Sequence, residues 1–347
     1  MTEPIPYLLN EPRFMPPQNW DWSYKTIRGM KIRYGLPRSP KIYKAVMVIF
    51  GGLGDYGEQY FEFVHECETQ DIKVIIIDLP GQGGSGRYLP HAPHKRHSAG
   101  FTELLEDLHV LVDEIALSAA IDADDNHKRL PLILFGHSLG GHIALRYLKE
   151  YNKASRGYNI FSAAIFSAPL FGIKAVEMTP PWLRNIVFTI MRFKPTAYVP
   201  GGCDWYDGFR ERPGFKGIFT SDPVRNALQS AYFLNPTTQH LAIGSPTNKW
   251  LLDAVKSCRH VNKSGYLDEL SMPLLVGLAS EDQLVDNAAT RKLLANLPQA
   301  DLFEIKGAQH ELLLEADIFR QIFVDRIFTF IRENVLNRPD AGKTHIL

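Results

Sequence analysis

The 347-residue chain has only three cysteines, Cys67, Cys203 and Cys258, widely spaced and without a CxxC pair. A sparse, odd-numbered set of this kind argues against a disulfide framework or a cysteine-built metal site and favours a reducing compartment. Net charge is lacking too: 38 Lys+Arg balance 38 Asp+Glu. That removes any electrostatic case for binding nucleic acid or an acidic membrane through overall charge. Long apolar runs are missing, and stretches such as Ala45–Phe50 and Val74–Ile77 fall far short of the ~20 residues that span a bilayer. Met1-Thr2-Glu3-Pro4 leads into no basic segment followed by an apolar core, so no secretory leader is expected. Internal repeats and low-complexity linkers are absent. With 45% apolar and 22% charged residues the chain can bury a sizeable core, and disorder is excluded. The expectation is a soluble, cytoplasmic protein with no transmembrane segment.

What is present is an alternation. Ala45–Phe50, Lys73–Asp78, Pro131–Phe135 and Phe161–Phe166 are short apolar runs of the kind buried on both faces of a parallel sheet. Between them, Leu104, Leu105, Leu108, Leu111, Val112 and Ile115 recur at helical spacing, as do Ile143, Ala144, Tyr147, Leu148 and Tyr151. Strand–helix–strand repetition implies an open parallel sheet whose sites lie at the carboxyl ends of its strands. The rhythm breaks near Pro169 and resumes at Leu274–Leu278, a helix over Ala288–Leu297, the strand Asp301–Ile305 and a helix near Phe319–Val335. The reading is a core formed by residues 1–168 and 271–347, interrupted by a helical cap over 169–270. Lys31–Tyr34 is the expected edge strand.

Gly136-His137-Ser138-Leu139-Gly140 follows one buried run and precedes a helical pattern. This is GxSxG between strand and helix, where a strained turn projects a serine hydroxyl above the sheet. The next amide, that of Leu139, stands at a helix N-terminus and can donate to a developing oxyanion. A serine hydroxyl needs a base, and the base an orienting acid, in the chain order Ser, Asp/Glu, His. Asp282 and His310 each lie in a loop after a resumed strand, so Ser138, Asp282 and His310 form the expected triad. Glu281 and Asp286 share the loop of Asp282 and are read as solvated charges. The glycine-rich Gly51-Gly52-Leu53-Gly54 follows an early strand and offers the Leu53 amide as second oxyanion donor.

Two patterns are set aside. Gly81–Gly86 matches GxGxxG, but Arg87-Tyr88-Leu89-Pro90 continues a loop where a dinucleotide site needs a helix. His91, His94 and His97 recur every third residue, but Pro90 and Pro93 break any helix there and no acidic or cysteine ligand is adjacent. No metal and no cofactor are expected. In the cap, Trp182–Phe193 reads as an apolar helix. Its Trp182, Ile186 and Ile190 are candidates to line an acyl pocket or to touch a membrane surface, with plain packing onto the core as the alternative.

Together these residues resemble the α/β-hydrolase superfamily, and within it the lysophospholipase and monoacylglycerol lipase-like branch. The resemblance covers about residues 25–335. It rests on Gly51-Gly52-Leu53-Gly54-Asp55 with Tyr60, on Asp78–Arg87, on Gly136–Gly141, on Ser280-Glu281-Asp282 and on His310-Glu311. Thr220-Ser221-Asp222-Pro223 and Gly244-Ser245-Pro246-Thr247 with Trp250 are similar to cap segments of bacterial lysophospholipases and discriminate better than the shared core motifs. The resemblance implies an eight-stranded, mostly parallel sheet and cofactor-free hydrolysis of a small-molecule acyl ester, a lysolipid or monoacylglycerol. The oxyanion loop of that branch commonly begins His-Gly; here Gly51 stands in place of the His. An aminopeptidase or a carbon–carbon bond hydrolase can use the same triad, the former with acidic residues such as Glu177, Asp204 and Asp207 lining the cap. From other classes stand a ligand receptor that kept the fold without turnover and a membrane-anchored scaffold. The lack of a basic patch in the sequence argues against a highly anionic substrate.

Overall fold

The computed structural model describes residues 5–121, 129–152 and 159–337. Eight strands form one sheet: β1 (Trp20–Ile27), β2 (Met30–Pro37), β3 (Ala45–Phe50), β4 (Ile72–Ile77), β5 (Leu132–His137), β6 (Ala163–Ser167), β7 (Leu274–Ala279) and β8 (Ala300–Ile305). Their order is β1-β2-β4-β3-β5-β6-β7-β8. β2 runs antiparallel to both neighbours and every other pairing is parallel. All residues of β3, β5, β6 and β7 are buried, as their unbroken apolar runs require. The edge lies one strand further out than the sequence suggested. β1 occupies it, and its Trp20 and Trp22 pack against Phe61.

Helices cover both faces. α1 (Phe61–Thr69) follows β3, and α2 (Phe101–Leu111) continues through a π turn at Val112–Ala116 into the short α3 (Leu117–Ala119). α4 (Leu139–Glu150) follows β5. The insertion between β6 and β7 carries α5 (Lys174–Glu177), α6 (Pro181–Phe193), α7 (Pro223–Leu234) and α8 (Asn248–Val261), and the core closes with α9 (Asn287–Leu294) and α10 (Asp317–Ile331). One core face gathers α2, α4 and α8 side chains such as Leu108, Ile143 and Trp250; the other gathers Phe63 of α1 and Phe323 and Ile327 of α10. Thus α8, inside the insertion, packs as part of the main core through Trp250, Ala254, Cys258 and Val261.

The insertion is held down by buried polar links. Asp222 caps α7 by accepting from the Val224 and Arg225 amides, the pairing of N-cap acid and first-turn proline that starts helices well. The Arg225 guanidinium then bridges to Glu62 at 2.7–2.8 Å and to Asp317 at 2.7 Å. At its other end, Thr247 caps α8 through the Trp250 amide. The loop after β4 is fixed similarly. Asp78 accepts from Arg33 Nε at 2.6 Å and from the Gly84 amide at 2.7 Å, so the glycine run serves a buried ion pair, and the next helix is α2.

Candidate active site

At the carboxyl end of β5 the chain turns into α4 through Ser138, whose backbone is forced to φ 50°, ψ −113°. For a non-glycine residue this is a strained conformation, sustained only where its surroundings over-determine it. They do. The Ser138 amide donates to Ser167 O at 2.9 Å, and the Ser138 carbonyl accepts from Leu170 N at 2.9 Å and His142 N at 3.2 Å. A Cβ at Gly140 would stand 1.9 Å from Phe50 O, and one at Gly136 would stand 2.5 Å from Gly140 O. Both glycines of the motif are therefore required by the close approach of strand and helix.

The loops after β7 and β8 bring Asp282 and His310 together. His310 Nδ1 lies 2.6 Å from Asp282 Oδ2, and Asp282 Oδ1 accepts from the Leu284 and Val285 amides at 2.8 and 3.0 Å. Both side chains are buried. Burial by itself would pull the imidazole pKa down, but the charge and hydrogen bond of Asp282 outweigh it and hold His310 above its ordinary value. For Asp282 burial works upward, and the His310 contact together with the two amides brings the carboxyl below its usual range. The neighbouring His137, whose ring centroid is 4.9 Å from that of His310, is pushed the other way by burial and by His310 itself. The two neighbouring imidazoles are thus shifted in opposite directions.

The loop after β3 is pinned without the missing histidine. Asp55 Oδ2 accepts from the Gly52 amide at 2.5 Å and from the Tyr60 hydroxyl at 2.6 Å. Gln82 grips Gly52 O at 2.6 Å and the Gly54 amide at 3.0 Å. Arg96 holds the Leu53 carbonyl at 2.8 Å, while the Leu53 N–H meets no acceptor among the described residues. Gly52 must be glycine here, because a Cβ would stand 2.8 Å from the His137 ring and 3.2 Å from Ser138 Cβ. The Leu139 amide opens α4, in the turn whose N–H groups have no intrahelical acceptor.

Ser138, His310 and Leu53 line one cavity of about 520 Å³. Its apolar wall includes Leu170, Ile173, Val199, Phe215, Trp250 and Leu251. The expected pocket residues are not among them. Trp182, Ile186 and Ile190 are 66%, 52% and 60% exposed and lie on the outer face of α6. The apolar arc of the helix is broad, running from Trp182 and Phe193 through Ile186, Ile190, Leu183 and Val187 to Met191, and the side that turns inward is Met191 with Phe188, which pack with Val176 and Val255. Periodicity alone could not choose which part of so broad an arc is buried. Three arginines that sequence reading did not bring together, Arg96, Arg210 and Arg212, also reach the cavity. Arg210 is engaged by Glu311 in a two-pronged pair at 2.7 and 2.9 Å. Glu177, Asp204 and Asp207 are all exposed and none lines this cavity.

The family model described as "Serine aminopeptidase, S33" matches residues 41–317. The chain belongs to this α/β-hydrolase family. Among its relatives, probable lysophospholipase L2 of Haemophilus influenzae is 24% identical over 310 residues, covering 88% of this chain and 89% of the relative. Lysophospholipase L2 of Escherichia coli K12 is 25% identical over 313 residues, covering 86% and 83%. A soluble variant of monoglyceride lipase from Saccharomyces cerevisiae, solved with a substrate analog, shares the fold at a TM-score of 0.68 and 18% identity, over 92% of this chain and 97% of that one.

Proposed function

We propose that the protein is a serine hydrolase that cleaves carboxylic esters of single-acyl-chain lipids, of lysophospholipase or monoacylglycerol lipase type. The observation that carries the reading is the presence of the strained Ser138 elbow and the Asp282-bound His310 imidazole in the lining of one largely apolar cavity. The names of the relatives support the lipid class.

In this mechanism Asp282 keeps the proton on His310 Nδ1, leaving Nε2 to take the Ser138 hydroxyl proton as Oγ attacks the ester carbonyl. The Leu53 and Leu139 amides receive the oxyanion. The imidazolium returns its proton to the leaving alcohol, giving the acyl-enzyme. His310 then deprotonates a water, whose attack releases the fatty acid and restores Ser138. Peptidase chemistry is less well served. Recognition of a substrate ammonium needs an available carboxylate, and the two in the cavity lining are engaged, Asp55 by Gly52 and Tyr60 and Glu311 by Arg210.

We also assign α6 a peripheral role at the lipid surface. Its outward residues Trp182, Ile186, Ile190 and Phe193 are exposed, and a groove that α6 reaches through Phe188 and Arg192 carries Arg146, Lys249, Lys256, Arg259 and Lys263 against the carboxylates of Glu103 and Asp253. Apolar side chains flanked by cations suit an anionic lipid interface. No helix among the described residues is long and apolar enough to cross a membrane.

The test is turnover of palmitoyl-lysophosphatidylcholine, 1-palmitoylglycerol and an aminoacyl anilide by the wild type and by Ser138→Ala. Ester turnover should dominate and fall by about 10⁴–10⁶ in the variant, because triad members act as a unit. Near wild-type esterase activity in Ser138→Ala, or a preference for the anilide, overturns the proposal.

A further inference from the structure

Two of the three arginines in the Ser138 cavity make no ion pair with a carboxylate among the described residues. Arg96 spends one N–H on Leu53 O at 2.8 Å. Its guanidinium lies over Gly54, where a Cβ would stand 2.3 Å from Arg96 Cζ. Arg212 is stacked on two rings, its Cζ 3.9 Å from the centroid of Phe209 and 3.7 Å from that of Phe215. It donates to Cys203 Sγ at 2.9 Å and weakly to Ser245 Oγ at 3.4 Å, neither of them a carboxylate. The Nε atoms of both arginines are buried without a partner.

Both arginines meet the Ser245 segment. Arg96 N donates to Ser245 O at 3.2 Å, and Thr247 N donates to Arg96 O at 2.9 Å, so the Ser245 segment carries Arg96 on its main chain while its hydroxyl meets Arg212. Ser245 also lines the cavity. Counting formal charges in the lining, Arg210 and Glu311 cancel, and Arg96 and Arg212 face only Asp55, whose Oδ2 is occupied by Gly52 and Tyr60. Burial, together with the charges of Arg210 and Arg212 and against the pull of Asp55, brings the Arg96 pKa down to about 10. A cation held this way is stabilised by any anion that enters.

Both side chains are half-buried with their Nε atoms out of water; charged groups drawn away from water are ordinarily paired, and the planar fork of arginine matches phosphate oxygens. We propose that Arg96 and Arg212 form the headgroup subsite of the Ser138 cavity and receive the phosphodiester of a lysophospholipid, making such lipids, rather than neutral monoacylglycerols, the preferred substrates. This rests on the hydrolase reading above. In a lysophospholipid only the glycerol backbone separates the acyl ester from the phosphate. The phosphate must therefore bind in the cavity that holds Ser138, and Arg96 is joined to the oxyanion loop through Leu53. Overall charge balance hides the subsite because its two arginines come from segments over 100 residues apart.

Arg212 is the cleaner probe, since Arg96 also holds the Leu53 carbonyl. The experiment measures kcat/KM for palmitoyl-lysophosphatidylcholine and 1-palmitoylglycerol in neutral-detergent micelles with the wild type, Arg212→Gln and Arg212→Lys. Wild type should favour the lysophospholipid. The ratio of lysophospholipid to monoacylglycerol kcat/KM should drop about 10- to 100-fold in Arg212→Gln, the range expected for losing one charged hydrogen-bonding partner. The drop should appear mainly in KM and be smaller in Arg212→Lys. Should Arg212→Gln not fold, the wild type still decides: glycerophosphocholine must compete with 1-palmitoylglycerol and glycerol must not. An unchanged ratio in folded, active variants overturns the subsite. So does inhibition by inorganic phosphate with an unchanged ratio, which assigns the site to free phosphate. Loss of all ester turnover in the wild type, with Ser138 unreactive to a fluorophosphonate, overturns the hydrolase reading itself and is distinguishable from both.

Discussion

Replacing Asp282 with Asn exchanges one atom at the centre of the proposed mechanism. Two faces of the carboxylate are committed: Oδ1 to the Leu284 and Val285 amides, Oδ2 to His310 Nδ1. In Asp282→Asn the carboxamide oxygen belongs at Oδ1, where it keeps both backbone N–H bonds, so its NH₂ faces His310. A donor at that place forces Nδ1 to accept, puts the imidazole proton on Nε2 and removes the base that Ser138 needs. Flipping the amide would restore the tautomer but set the NH₂ against two backbone donors. At about 1–3 kcal/mol for each buried group left unsatisfied, the flip is disfavoured by about 2–6 kcal/mol, or roughly 30- to 10⁴-fold at about 1.36 kcal/mol per decade. Losing the negative charge beside the transient imidazolium adds to this, and the corresponding exchange in other serine hydrolases costs about 10⁴. The expected kcat on a soluble short-chain ester is therefore lower by about 10³–10⁴, with the thermal midpoint little changed. The pH profile gives a second readout. His310 acts as a base only when neutral, so wild-type activity rises with pH through a pKa held above the ordinary value of 6.5 by Asp282. Without that charge, burial governs, and the acid limb of the residual activity should move below it. A variant keeping more than about a tenth of wild-type kcat, or an unmoved acid limb, refutes the reasoning.

Gly140→Ala should abolish folding of the elbow, since its Cβ would meet the fixed carbonyl of Phe50 and not a yielding side chain; a loss of about 3 kcal/mol or more in urea unfolding is expected, and a neutral outcome would contradict the packing described. Glu311→Gln leaves the Arg210 guanidinium buried without its counter-charge, and chemical denaturation should show a cost of about 3–5 kcal/mol. Making α6 polar with Trp182→Ser, Ile186→Ser and Ile190→Ser should weaken sedimentation with anionic vesicles while leaving hydrolysis of a soluble ester intact. Undiminished vesicle binding would remove the interfacial role.

The central sheet was readable because β3, β5, β6 and β7 are buried on both faces, and such strands write themselves as continuous apolar runs. β1 was not. It is a partly exposed edge strand, and its Trp-Asp-Trp-Ser alternation is a weaker signal than an unbroken run. The start of α7 was legible in principle, since Asp222-Pro223 is an N-cap followed by a first-turn proline. Ser138, Asp282 and His310 could be singled out because the topology dictates which loops follow which strands. The cavity wall could not. Val199, Phe215, Arg96 and Arg212 come from irregular segments whose convergence depends on tertiary links such as Arg96–Ser245, and no periodicity records those. The same limit misdirected the reading of α6, where one broad apolar arc runs round the helix and only packing against Val176 and Val255 selects Phe188 and Met191.

The most direct measurement is intact-mass and peptide-level analysis of the wild-type protein after treatment with a fluorophosphonate, with Ser138→Ala and His310→Ala alongside. An activated serine nucleophile predicts a single phosphonyl adduct on the peptide containing Ser138, absent in Ser138→Ala and formed far more slowly in His310→Ala. No adduct on Ser138, or labelling at the wild-type rate when His310 is gone, would contradict the account.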